Sequence, residues 1–589
     1  MKIIDKFWLN IAKNLIWEKF PKDGNKWIDG RYYWFRDGKL NIAKNCLLNK
    51  KNKEKNKNAI IFINQKKKVK EITYEELTNK VNHFSIFIRN LEKENNTDFK
   101  QVIIHASASE VSAVSMLAFA KLGVHFSVIF EDLPEHAIDE RIKLIKPDLI
   151  ITRDLSKKHF FTKVLKKNKL NNSIIIFSNK IYQTENFKHY NFHKYNIKLS
   201  SIKYESYLSN HKLFTLFTSG STGAPKGIQH SSAPYLVYSK YSSFKKFGMN
   251  KKSVVLTASD AGWINGHTYA LFSPLSFGAT TILVESPFML LDYLFLEKIL
   301  KKYKITILYL PVTLLRLLKG IIPPNKFFYT NYLKAIGSMG EPLAKNVADW
   351  FSHLCFQKKK SVVNTYFQTE TGGIISAPNY NQIGEKTYGS VGTTLNKFIK
   401  FSRKKTKKME LEITTPWPGC MIDVINGPAY WKKYWNKKKF KLFDYGSFNK
   451  KNLIVHGRSD DVINIRGHRL GSGEIEAKIL ELKDIIEACA VSTEDLVEGA
   501  AMTIFVSTNL PKKKFYLLES NIKLKIFNSF GSYAIPKNVY LVRELPKTRS
   551  GKILRRVLRK ICMDKKTKDF GDLSTIINNN SIKNIKKAI

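Results

Sequence analysis

No run in this chain reaches the roughly 18 apolar residues that a membrane-crossing helix requires, so a helical membrane protein is not expected. Its start carries Asp5 and Glu18 among tryptophans instead of the long apolar core of a secretion signal, which points to the cytoplasm. Cysteine is scarce. Cys46, Cys355, Cys420, Cys489 and Cys562 lie far apart with no C-x-x-C pair, so neither a zinc site nor a disulfide framework is expected, only reduced and buried thiols. Acidic side chains are also few: 49 Asp and Glu stand against 99 Lys and Arg, a net charge of +50. Such a charge raises nucleic acid or an anionic membrane as a partner. The lysines, however, are spread through Asn-mixed runs such as 49–58, 65–70 and 432–441, with no recognisable RNA- or DNA-binding motif. They read as compositional drift on solvated surface, with no dedicated nucleic-acid partner and no membrane partner. Internal repeats are absent as well.

What is there suits a globular enzyme: 589 residues, 43% of them apolar, enough for about two to four domains. Residues 1–58 form an aromatic lead-in with Trp8, Trp17, Trp27 and Trp34, read as a strap across a larger body and followed by a Lys/Asn linker. From Ala59 short apolar runs (AIIFI, QVIIHA, FSVIF, LIITR, SIIIF) alternate with helical patterns such as Tyr74–Leu91 and Glu110–Leu122. That alternation predicts helices flanking a largely parallel sheet, an α/β body over 59–457. After Arg458 the pattern changes to short strands and two helices, one over Glu474–Leu482, which predicts a small α+β domain over 458–563. The basic tail, 564–589, is expected to fray.

Four segments carry chemistry. In Leu216-Phe-Thr-Ser-Gly-Ser-Thr-Gly-Ala-Pro-Lys-Gly227 the residues Thr218, Ser219, Gly220, Ser221, Thr222 and Gly223 precede Lys226. Backbone N–H groups freed by glycine, several hydroxyls and a fixed ammonium make a grip for polyphosphate. It is not a Walker loop, because no Gly-Lys-Ser/Thr follows the first glycine at the required spacing. Tyr366-Phe-Gln-Thr-Glu-Thr-Gly-Gly373 places a carboxylate, Glu370, beside hydroxyls and glycines at a strand end, where it can hold Mg²⁺ next to a nucleotide. Gly457-Arg-Ser-Asp-Asp-Val-Ile-Asn-Ile-Arg-Gly-His-Arg-Leu-Gly471 crowds charge at the expected domain boundary. In Leu545-Pro-Lys-Thr-Arg-Ser-Gly-Lys-Ile-Leu-Arg-Arg556, Lys552 sits on a glycine turn before a basic helix.

Together, in this order, the four segments resemble the acyl-CoA synthetase branch of the acyl-adenylate-forming enzymes, most closely the AMP-forming acetyl-CoA synthetases. The resemblance extends to Trp34–Asn45, Asp260–Tyr269, Gly278–Thr281, Gly337–Pro342 and Pro416–Gly419, and covers nearly everything from Phe7 to Lys560. It implies a ligase with ATP and coenzyme A as co-substrates and Mg²⁺ as cofactor: a carboxylate attacks the α-phosphate of ATP to give acyl-AMP, and the CoA thiol then displaces AMP. Acetate is the implied acid, with propionate, another short acid or acetoacetate as alternatives, and a degenerate adenylate binder without turnover as a reading of another class.

The resemblance also assigns residues. Thr218 to Gly227 would hold the β- and γ-phosphates, Glu370 the metal, and Thr369 an α-phosphate oxygen. Lys552 would reach the α-phosphate and the carboxylate during adenylation. Gly340, Glu341 and Pro342 would line the adenine, with Asn364 where acetyl-CoA synthetases carry an aspartate. Thr365, Phe367 and Gln368 would complete the nucleotide wall. Asp444 and Arg458 would take the ribose hydroxyls, although Phe443 replaces the family's glycine and the turn that follows is one residue short. Asp460 would be the hinge about which the small domain turns, withdrawing Lys552 and bringing Gly467 and His468 to CoA and Arg469 to the phosphate. Ile264, Asn265, Met339 and Phe367 match the acetate pocket, Phe367 standing for the family's tryptophan. Lys552 is further implied as a target of lysine acetylation and deacetylation enzymes.

Overall fold

The computed structural model describes residues 2–48, 55–178, 183–193, 202–219, 225–328, 330–357, 360–381, 390–402, 409–425, 428–436, 438–459, 462–465, 468–495, 499–508, 510–511, 514–548, 551–570, 573 and 576–589. Among them, one eight-stranded sheet runs in the order Phe187–His189, Ile174–Phe177, Leu149–Thr152, Gln101–His105, His125–Ile129, Lys212–Ser219, Pro225–Ser231, Asp423–Ile425. A seven-stranded sheet runs Val363–Asn364, Ala335–Met339, Ile307–Pro311, Val254–Thr257, Thr280–Val284, Asn58–Ile63, Val69–Thr73. Pairing is parallel through the middle of both sheets and antiparallel only at one end of each. Strands such as His125–Ile129, Leu149–Thr152 and Ile174–Phe177 are buried at every position, as strands covered on both faces must be. This is the expected α/β body.

The helices start and stop where their caps dictate. Tyr74–Glu94 begins at Thr73, whose side chain accepts from the Glu76 N–H while Glu76 accepts from the Thr73 N–H. Glu110–Leu122 opens on the Ser109 and Ser112 pair and ends at Gly123, which at φ 72° takes the left-handed turn that stops a helix cheaply. In the lead-in, helix Ile3–Ala12 buries Trp8 against Trp34, Tyr238 and Tyr241. The hairpin of Asn25–Ile28 and Arg31–Trp34 is tied to the distant segment 423–435 through Trp27, Arg31 and Tyr32. The lead-in therefore lies across the body as a strap.

Residues from Ile463 onward build two apolar clusters of their own, one around Ile475, Ile504 and Ile522, the other around Val491, Phe505 and Val557. A three-stranded sheet of Ile485–Asp495, Gly499–Thr508 and Asn538–Leu541 separates them. The helix expected over Glu474–Leu482 runs Ser472–Ile479, ending short of Leu482. The tail departs further from expectation, because Asn580–Ala588 is a helix rather than frayed chain. Ile582 and Ile585 fall three residues apart on one face, so a single apolar stripe lies hidden in a Lys/Asn-rich composition. Both are buried with Phe570 and Ile576, and the Ile577 N–H donates to the Lys547 carbonyl at 2.9 Å, just before the Lys552 turn. No described helix is long and apolar enough to cross a membrane. The five cysteines are free, four of them buried.

Because Ile585 is fully buried, Ile585→Ala should cost about 2–4 kcal/mol in stability. Denaturant unfolding of the small domain will check this, and a loss below about 0.5 kcal/mol, the range of an ordinary surface substitution, would show that the tail helix is not docked.

Candidate active site

The strands Lys212–Ser219 and Pro225–Ser231 pair with Thr218 opposite Lys226. The two strands that flank the expected polyphosphate grip are thus antiparallel partners. Gly220, Ser221, Thr222 and Gly223 lie outside the described residues, as do Asp460 and Gly467; Ser219, His468 and Arg469 have described backbone only, the latter two in the strand His468–Gly471. Lys226 points its ammonium at the rings of Tyr430 and Tyr434, 5.4 and 6.0 Å from their centroids. Its pKa is lowered by partial burial, against which the negative charge of Glu370 acts.

Glu370 sits in the single turn Thr369–Thr371, which is clamped by its backbone. The His230 ring meets the Thr369 carbonyl at 2.7 Å, and the Met421 N–H donates to the Glu370 carbonyl at 2.9 Å. The Tyr434 hydroxyl donates to Glu370 Oε1 at 2.7 Å. The described residues hold no cluster of three or more His, Cys, Asp or Glu that could cage a metal by itself. A carboxylate whose charge is felt by Lys226 fits Mg²⁺, which is ordinarily bound through one or two carboxylates and the substrate's own phosphates.

Asp444 forms the opposite corner. It lies directly across the strand pair from Arg458, with Arg458 NH1 3.7 Å from Oδ1, so the two residues expected to share the ribose are register partners despite the shortened turn. Tyr366 and Gln368 each donate to Asp444 Oδ2 at 2.6 Å. Phe443 adopts φ 54°, the left-handed region in which a glycine would rest without strain. Its ring packs edge-on to Tyr434, 5.5 Å between centroids, contact that a glycine could not make.

The remaining candidates are placed by contacts of their own. Asn364 is buried, accepting from Ser338 Oγ at 3.0 Å and donating to the Ser390 carbonyl at 2.8 Å. Thr365 meets the Tyr309 hydroxyl at 2.5 Å. Glu341 pairs with Arg316, and Gly340 turns the chain at φ 92° beside half-buried Pro342. Phe367 packs edge-on to Tyr269 at 5.9 Å and against the clusters that contain Ile264 and Met339. Asn265, 4% exposed, has neither amide atom hydrogen-bonded, a cost of about 1–3 kcal/mol that a ligand could relieve.

Lys552 comes from the small domain on a tight turn, in which Gly551 N–H donates to the Thr548 carbonyl at 2.7 Å and Thr548 N–H to the Lys552 carbonyl at 2.8 Å. Thr313 of the body donates to the Gly551 carbonyl at 3.0 Å and approaches Glu341 Oε1 at 3.5 Å. Asn346 donates to the Leu480 carbonyl at 2.8 Å. With the small domain docked this way, the positive charge of Lys552 is felt at Asp444.

Three family models match the chain: acetyl-coenzyme A synthetase N-terminus over residues 2–46, AMP-binding enzyme over 48–402, and AMP-binding enzyme C-terminal domain over 474–552. The acetyl-coenzyme A synthetase of Helicobacter pylori (strain G27) is 32% identical, with 99% of this chain and 93% of that protein aligned. Acetyl-coenzyme A synthetase 2 of Kluyveromyces lactis is 31% identical over 95% of this chain and 87% of its own. The chain belongs to the acetyl-CoA synthetases of the AMP-binding enzyme family. Its fold also matches a solved acetoacetyl-CoA synthetase from Streptomyces lividans, with a TM-score of 0.83 and 17% identity over 99% of this chain and 92% of that one.

The sequence reading missed Tyr434 and Thr313, and it named Tyr366 only as the first residue of its segment, without a role. Tyr434 lies within the lysine-rich run 432–441 that read as solvated surface; the aromatic residues Tyr430, Trp431, Tyr434 and Trp435 in and beside that run were the available signal. Thr313 stands in an apolar helix, Val312–Ile321, and nothing in the sequence distinguishes it.

Burial raises the Asp444 pKa above the usual carboxylate range, while Arg458, Tyr366, Gln368 and Lys552 pull it back. The folded carboxyl therefore holds its proton more tightly than the unfolded one. Its charged form costs stability above the folded pKa, and that cost disappears as the pH falls through it. Tyr366→Phe removes one donor to the anion and keeps the ring, so the pKa should rise further. ATP titrations across pH should show the acid-side loss of binding moved to higher pH in this variant and the alkaline side unchanged; an unmoved acid limb would contradict the assignment.

Proposed function

We propose that this chain activates acetate in two steps. A carboxylate oxygen attacks the α-phosphorus of ATP as the bond to pyrophosphate breaks; the CoA sulfur then attacks the acetyl carbon, its proton leaving to solvent, as the bond to AMP breaks. The observation that carries the residue assignment is the docked turn at Gly551, which brings Lys552 to the corner that holds Asp444 and Arg458.

In this reading Lys226 and the segment 218–227 hold the β- and γ-phosphates, and Thr369 contacts the α-phosphate. Glu370 holds Mg²⁺, which when bound neutralises phosphate charge. Asp444 and Arg458 take the ribose. Gly340, Glu341, Pro342, Asn364, Thr365, Phe367 and Gln368 line the nucleotide, and Ile264, Asn265, Met339 and Phe367 enclose the acetyl group. Lys552, exposed on its stem, supplies a point charge where negative charge grows on the α-phosphate oxygens. A lysine that must be withdrawn for the second step suits a turn carried on a separately cored domain. Asp460 serves as hinge, and Gly467, His468 and Arg469 replace Lys552 when CoA enters. The protein works in the cytoplasm, and Lys552 is a target of acetylating and deacetylating enzymes.

Lys552→Ala should lower acetyl-AMP formation, measured as acetate-dependent pyrophosphate release, by about 10²–10³-fold, while thioester formation from supplied acetyl-AMP stays near wild type. At Gly551, φ is 84° and an added Cβ would lie 2.3 Å from Thr313 Oγ1. Gly551→Ala should therefore impair the same half-reaction by pushing the turn off the body. Equal loss of both half-reactions in Lys552→Ala would contradict the division of labour.

A further inference from the structure

Glu370 is held by a side chain that belongs to none of the four segments. The Tyr434 hydroxyl takes Oε1, and the other carboxylate oxygen accepts no hydrogen bond from any described residue. Tyr434 is itself held by aromatic neighbours. Its ring stacks on Phe440, 5.8 Å away at 17°, and meets Phe443 edge-on. The phenol is thereby fixed in two directions before any ligand arrives.

The helix that ends in this tyrosine, Pro428–Tyr434, is itself pinned from its far side by the strap. Trp431 Nε1 donates to the Gly30 carbonyl at 3.0 Å. Arg31 pairs with Asp423 at 2.8 Å and lies 5.1 Å from the centroid of the Trp431 ring. Trp435 packs 5.5 Å from both Trp27 and Tyr32. A continuous set of contacts thus runs from the N-terminal hairpin through one helix to one oxygen of Glu370.

We propose that Tyr434 is a positioning residue that presents the Glu370 carboxylate to magnesium–nucleotide, and that the strap fixes Tyr434 through Arg31 and Trp431. This rests on the reading of Glu370 as the metal carboxylate. The physical reason is preorganisation. Glu370 is the only carboxylate of its turn, on a stem with three rotatable bonds, and a side chain ordered beforehand loses less freedom when it captures a cation. The hydrogen bond that orders it engages a charged acceptor and leaves one oxygen for the ligand.

The test is calorimetric titration of ATP into the full-length wild type, Tyr434→Phe and Arg31→Ala, first in chelator and then at stepped Mg²⁺. Tyr434→Phe keeps the ring packing and loses the donor, so the Mg²⁺ concentration that half-saturates the enhancement of ATP binding should rise about tenfold, with Mg²⁺-free ATP affinity unchanged. Arg31→Ala should move the same midpoint in the same direction by less. An unchanged Mg²⁺ midpoint in Tyr434→Phe, or a loss of ATP affinity equal with and without Mg²⁺, would overturn the role of Tyr434; an unmoved midpoint in Arg31→Ala alone would overturn the role of the strap. Wild-type protein that binds magnesium–ATP but forms no acetyl-AMP would refute the proposed reaction and leave this inference standing.

Discussion

One hydrogen bond joins two separately cored parts of the chain next to Lys552. Thr313 in the body donates to the carbonyl of Gly551 in the small domain, and the next residue is Lys552. Gly551 is needed there because the chain turns at positive φ while its α-carbon sits against a side chain. Asn346 to Leu480 and His456 to Glu474 are further polar links between the parts, and the described buried apolar residues of the two parts fall in separate clusters, an arrangement suited to a domain that moves during a cycle. A large apolar interface would have held the lysine permanently in place and blocked a second step.

The electrostatics of the site follow the same economy. Positive charge comes from Lys226, Arg458 and Lys552, each from a different segment, and the carboxylates Glu370 and Asp444 are held apart in separate pairings with Tyr434 and with Tyr366 and Gln368. Neutral donors, tyrosine and glutamine, hold both carboxylates, and Asp444 is in addition paired with Arg458 at 3.7 Å.

Much of this was legible in the sequence because the fold obeys local rules. Buried parallel strands write themselves as apolar runs, and Thr73, Ser109 and Gly123 mark helix ends by their own hydrogen bonding and dihedral preference. The four motifs stand out in the sequence because glycines, hydroxyls and charged residues gather in them at close spacing. What escaped detection depends on long-range packing. Tyr434 is 64 residues from the glutamate it serves, and it stands among lysines whose charge suggested open solvent. The tail helix was missed because two isoleucines at helical spacing outweigh a polar composition once Phe570 and Val557 offer them a partner surface. Phe443 shows the opposite limit: the sequence reveals the lost glycine, but only the structure shows that the bulky residue keeps the left-handed turn.

The most direct test of the account is to lock the docked state and ask which half of the reaction survives. Cysteines placed at positions 346 and 480, where the Asn346 amide now reaches the Leu480 carbonyl, can be oxidised to a reversible tether. With magnesium, ATP, acetate and CoA, the tethered protein is predicted to release about one pyrophosphate per chain, retain acetyl-AMP and make acetyl-CoA only after reduction. Sustained acetyl-CoA production by the tethered protein at the reduced protein's rate would contradict the claim that the small domain must leave this position for the second step.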